Sequence, residues 1–170
     1  MTPEELKQTY PDHDRLLRAI EEAGHALMAF GQGVEVGLVT IDPANLPPGK
    51  GGVCQTDSDV DFSTKARIAY AGLAARDMYG MSTLTGIQSD EIQSIVQEVE
   101  VELASQGYTP SQAQEEALSV ADRILDEVKH RLNHPRTRRG LERCINHLYH
   151  NLTISRLEAM ELIQEFLDEE

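Results

Sequence analysis

Tryptophan is absent, and aromatic residues make up only 5% of the chain. Leu, Ile, Val and Ala must therefore fill the core, which favours helix packing. Positive charge is scarce as well. Fifteen Lys and Arg stand against 29 Asp and Glu, a formal net charge of −14. A surface this acidic repels nucleic acid and anionic membranes. Arg136, Arg138, Arg139 and Arg143 cluster, but four arginines on an acidic chain read as a helix start and a solvated face, not a phosphate track. Cysteine is limited to Cys54 and Cys144, with neither CxxC spacing nor a disulfide framework. That usage fits a reducing cytosol, so a cytoplasmic location is expected. No run of 18 apolar residues exists to span a membrane. The opening stretch MTPEELKQTYPDHD is too polar and acidic for a signal peptide. The Gly49-Lys50-Gly51-Gly52 run is no phosphate cradle, because no Ser or Thr follows Lys50.

What is present suits one domain over residues 1–170, long enough to bury a real core. Thr2-Pro3-Glu4-Glu5 is a capping box with proline at the first helical position, and Pro11 ends that short helix. Asp12 or Asp14 caps the next, where Leu16, Ile20, Ala23, Leu27 and Phe30 share one face until Gly31-Gln32-Gly33. Val34 to Ile41 reads as a β-branched strand, and Gly52 to Thr56 as a second short one. A proline-rich loop joins them. Ser63 is the expected cap of a third helix running to Gly80. A polar turn at 82–86 follows, and Ser89 is the expected cap of a fourth helix with Ile92, Ile95, Val96, Val99 and Leu103 on one face. Thr109-Pro110 opens a long helix stopped by Pro135. Leu141, Cys144, Ile145 and Leu148 mark another, and the capping box Ser155 to Glu158 opens the last. The expected fold is mostly α, with a small β element near the first third.

The chemistry concentrates in the second helix. Glu21-Glu22-Ala23-Gly24-His25 is one residue away from the zinc-peptidase pattern His-Glu-x-x-His. There, two histidines four apart share a helix face, and the Glu takes a proton from the metal-bound water. Here Glu21 stands in the first histidine's place. Taken alone, such a Glu-Glu-x-x-His match is more often a solvated helix face than a metal site. Two other histidine pairs are weaker candidates. His130 and His134 lie near a helix end, where imidazoles favourably meet the dipole. His147 and His150 are three apart, one at the core edge and one solvated. Cys54 reads as a small strand residue before it reads as a cleft thiol, and Cys144 as core.

The wider context carries a resemblance. Glu21-Glu22-Ala23-Gly24-His25-Ala26-Leu27 resembles the His-Glu-Ala-Gly-His-Ala-Leu helix of the FtsH family of ATP-dependent zinc proteases. In the same order along the chain, Val39-Thr40-Ile41-Asp42-Pro43 resembles a strand end of that peptidase domain. Gly51 to Gln55 falls where the family has a glycine-containing edge strand beside the substrate. Ala71 to Asp77 resembles a helix usually written Gly-Gly-Arg-Ala-Ala-Glu-Glu. Thr85-Gly86-Ile87-Gln88-Ser89-Asp90 resembles Thr-Gly-Ala-x-Asn-Asp. The resemblance covers nearly the whole chain, and the first and fourth motifs are the specific ones.

It implies a helical zinc-metallopeptidase-like domain acting on peptide or protein substrates. His25 and Asp90 would be metal ligands and Glu22 the general base, with Glu21 at the vacated ligand position. The family's ATPase module and membrane anchor have no counterpart in these residues, and its ring of six makes a homo-oligomer an open expectation. With Glu21, His25 and Asp90 as ligands, two carboxylates would neutralise a divalent ion. The metal-bound water would then have a pKa above the ~7 of catalytic zinc. Preference would drift from Zn²⁺ toward Mn²⁺ or Mg²⁺. Without a metal, the converging carboxylates need another cation. Arg76 is the candidate, since it falls where the family carries a Glu near its histidines; a one-residue slip would put Ala75 there. Two readings stay open: a metallopeptidase with an altered ligand, or a catalytically impaired pseudopeptidase that binds peptides or partners.

Overall fold

In the computed structural model, the described residues are 1–57, 59–81 and 90–164; the side chains of 90–92 and 164 are not among them. Their order is α1 (Pro3–Thr9), α2 (His13–Gly31), β1 (Val36–Thr40), β2 (Val53–Thr56), α3 (Phe62–Met78), α4 (Asp90–Ser105), α5 (Pro110–Asn133), α6 (Pro135–Asn151), β3 (Thr153–Ile154) and α7 (Arg156–Gln164). The architecture is mostly α with one small sheet. Among the described residues, no helix is long and apolar enough to cross a membrane.

The helix starts follow capping chemistry. The Thr2 hydroxyl accepts from the Glu5 amide at 3.2 Å, and the Glu5 carboxylate accepts from the Thr2 amide at 2.7 Å. Thr109 and Gln112 repeat this box at the head of α5, and Ser155 and Glu158 at the head of α7. Asp12 caps α2. The cap of α3 is Asp61, not Ser63. Asp61 accepts from the Thr64 amide at 3.0 Å and from its hydroxyl at 2.8 Å, and these bonds hold its carboxyl below the usual range. Ser63 lies inside the first turn, where its hydroxyl takes a 2.6 Å bond from Arg67. A carboxylate two residues earlier reaches the free amides first. The expected turn at 82–86 and the expected cap Ser89 lie outside the described residues.

The core is mainly aliphatic, with Tyr10, Tyr70, Tyr79 and Tyr149 buried in it as well. Leu16, Ile20 and Ala23 of α2 are fully buried in one cluster with Leu141, Ile145 and Leu148 of α6 and Val128 and Leu132 of α5. The three-stranded sheet has the order β2-β1-β3, with both pairings antiparallel. It extends the two-strand expectation: Ile154 pairs with Val39 and Thr153 with Thr40. The chain reaches that register because Leu152 takes a left-handed conformation at φ 66°, while its carbonyl accepts from the Ile41 amide at 2.8 Å. The sheet backs onto α2 and so places β2 beside the Glu21 to His25 turn.

Candidate functional site

Helices α2 and α3 pack antiparallel, and the crossing is set by small residues. A Cβ on Gly24 would stand 2.6 Å from the Ala71 carbonyl oxygen and 2.9 Å from the Ala75 methyl. Only glycine lets the two backbones approach this far. The approach brings one face of α2, Glu21 and His25 a turn apart, over α3.

His25 leans across Gly72. A Cβ there would meet His25 Nε2 at 2.6 Å and Glu21 Cγ at 2.9 Å. The other ring nitrogen, Nδ1, lies 2.7 Å from the Ile68 carbonyl oxygen. A carbonyl can only accept, so Nδ1 carries the proton. In the neutral ring, Nε2 then keeps its lone pair as an acceptor or ligand nitrogen.

Glu22 points to the other side of α2 and is buried, 6% exposed. A Cβ on Gly52, just before β2, would fall 2.7 Å from Glu22 Cδ. The glycine thus leaves the volume that the carboxyl occupies. Three glycines, Gly24, Gly52 and Gly72, therefore make the space in which the motif residues sit. None of them stood out as a packing residue in the sequence, though each lies within a motif quoted above.

Arg76 is one turn beyond Gly72 on α3. Its Nη1 donates to Glu21 Oε2 at 3.2 Å, with the arginine side chain 19% exposed and the glutamate 38%. The geometry selects Arg76 over Ala75, which is fully buried against Gly24 instead. Asp77, the next residue, turns toward α5 and meets Lys129 at 2.6 Å.

Asp90 is the first residue of α4, but its side chain lies outside the described residues, as do residues Thr85 to Ser89. Among the described residues, no group of three or more His, Cys, Asp or Glu side chains could hold a metal ion. The described donors near Gly72 are one imidazole nitrogen and one carboxylate that already holds a guanidinium.

The other candidates separate clearly. His130 and His134 are exposed at the α5–α6 junction, where His134 ends α5. His147 is half-buried with Nε2 3.7 Å from Glu158, and His150 is exposed. Cys54 is half-buried on β2, whereas Cys144 is buried in α6, where burial pushes its thiol up to about 12. Such a thiol is inert at neutral pH. Arg138 stacks over the Tyr79 ring at 5.7 Å and donates to the Met1 carbonyl at 2.8 Å, so this member of the arginine cluster is structural.

Compared with known proteins, the chain matches no protein-family model and no curated protein. The resemblance to FtsH-type peptidases therefore rests on the quoted motif residues alone.

Proposed function

We propose that this chain is a peptidase-like domain of the FtsH type in which the Glu21–Arg76 ion pair stands in for the metal centre, and that it binds peptide or protein segments without hydrolysing them. The observation that carries this reading is the 3.2 Å contact of Arg76 Nη1 with Glu21 Oε2 at the position of the vacated ligand. An ion bound to Glu21 would share the carboxylate with a fixed cation. At an effective dielectric of about 20, charges of +2 and +1 roughly 5 Å apart repel by about 6–7 kcal/mol. Glu21 is 38% exposed, so screening reduces this to a few kcal/mol. That still weakens metal binding by orders of magnitude. In this reading, the ligand is a peptide rather than nucleic acid, and the setting is the cytoplasm.

A second reading, a metal-dependent peptidase using Zn²⁺ or Mn²⁺, is favoured by one observation. His25 is held by Ile68 in the tautomer that presents Nε2, as a ligand histidine would be.

Metal analysis of the purified protein, followed by casein cleavage with and without added Zn²⁺ or Mn²⁺, separates the two. The expected result is neither stoichiometric metal nor cleavage for the native chain, and zinc uptake by the double variant Glu21→His with Arg76→Glu. Stoichiometric metal and chelator-sensitive cleavage by the native chain would overturn the proposal in favour of the second reading.

A further inference from the structure

Helix α4 is amphipathic, but its apolar residues are not all covered. Ile95 is buried, Val99 and Leu103 are half-buried, and Val101 is 70% exposed. Together with Phe62 at the start of α3, Val99, Val101 and Leu103 line an open groove of about 650 Å³. Its rim carries Glu98 and Glu102. From Asp90 to Ser105, α4 holds five acidic residues and no Lys or Arg. Lys65 of α3 is a basic group close by, 3.5 Å from Glu98. The Glu21–Arg76 pair is elsewhere: Phe62 and Arg76 are 14 residues apart on α3, about 21 Å along the axis.

We propose that this α4 groove is a docking site for a basic amphipathic helix of a partner protein. Phe62, Val99, Val101 and Leu103 supply apolar contact, and Glu98 and Glu102 supply negative charge. Sixteen residues make α4 about 24 Å long, room for a partner helix of about four turns. A second copy of the chain is a poor occupant, since it would set this acidic helix against another chain of net charge −14. A partner with Lys or Arg flanking a Leu or Ile stripe meets both features.

The test uses the full chain in about 0.15 M salt, where exposed charges more than about 8 Å apart are screened. The probe is a dye-labelled 16-residue peptide of leucine and lysine patterned as an amphipathic helix. An isomer of equal charge, with its leucines scattered around the helix, is the control. Saturable 1:1 binding of the amphipathic peptide is expected by fluorescence anisotropy, with at least tenfold weaker binding of the isomer. Val101→Asp should weaken the amphipathic peptide at least tenfold while leaving the circular dichroism melt unchanged. Glu98→Lys with Glu102→Lys should weaken it as well. Equal binding of the two peptides would reduce the effect to charge alone and overturn the proposal. Unchanged binding by Val101→Asp would overturn it too. So would a concentration-dependent dimer, seen by light scattering and abolished by Val101→Asp, which would give the groove to a second copy.

Discussion

Replacing Gly24 by alanine should destabilise the protein, although alanine is the better helix former. In a helix interior, the exchange alone gains about 0.5–1 kcal/mol. The new methyl, however, would stand 2.6 Å from the Ala71 carbonyl oxygen, about 0.8 Å inside an ordinary 3.4 Å contact, and 2.9 Å from the Ala75 methyl. The first obstacle is backbone and cannot rotate aside, so α2 and α3 must separate. Overpacking of this kind costs about 1–3 kcal/mol, and a backbone clash belongs at the upper end. The net loss is then about 2 kcal/mol, or roughly 4–8 °C in Tm for a chain of this length. Gly31 is the internal control. It ends the same helix with nothing within 4 Å of its Cβ position, so Gly31→Ala should be neutral or mildly stabilising. Thermal melts at 222 nm and urea titrations would report both. A Gly24→Ala protein that melts at or above the native chain would refute the close crossing, and with it the geometry that sets Glu21 against Arg76.

Glu21→Gln, Arg76→Gln and their double variant form a cycle for the ion pair. Exposures of 38% and 19% place it between surface and buried pairs, so a coupling of about 1 kcal/mol that shrinks with salt is expected in urea titrations; a value near zero would mean the contact is incidental. Alkaline stability tests the core. Burial raises Tyr79, first through desolvation and then through Glu142, to about 12, and it raises Cys144 to about 12. The folded state therefore keeps protons that the unfolded chain releases from about pH 9 upward. This stability is complete below pH 9 and is lost as pH rises toward 12, at up to about 1.4 kcal/mol per pH unit per group. Tyr79→Phe should flatten the decline in unfolding free energy between pH 10 and 12, and an unchanged slope would contradict the burial of the phenol.

The helices were largely legible because their signals are local. Capping boxes at Thr2, Thr109 and Ser155 act within four residues, and aliphatic spacing at 3.6 residues marks the buried face of each helix. The cap of α3 was misread because Ser63 and Asp61 are both good caps, and only the backbone geometry of the first turn decides between them. β3 gave almost no signal. It has two residues, and the turn before it uses Leu152 at positive φ, where sequence reasoning looks for glycine. What calls for it is the long-range bond from the Ile41 amide to the Leu152 carbonyl, which no local pattern records.

The site shows the same division between local and distant information. Glu21, Glu22 and His25 stand out because a four-residue spacing on one helix has a chemical meaning. Arg76 is 55 residues away, and it was suggested by the resemblance, which puts it where the family carries a Glu, together with charge logic: a carboxylate in place of an imidazole needs a cation. The glycines explain why that logic works in three dimensions. Gly24 lets α3 come close, Gly72 opens room for His25 and the stem of Glu21, and Gly52 gives the Glu22 carboxyl its space. These positions leave the room that the Glu21, Glu22 and His25 side chains fill. In the proposed reading, glutamate at the ligand position changes the charge of the site, and Arg76 of the facing helix balances it. In that reading, a scaffold that keeps this packing while its charge is rewired loses hydrolysis and still presents the β2 edge to a peptide.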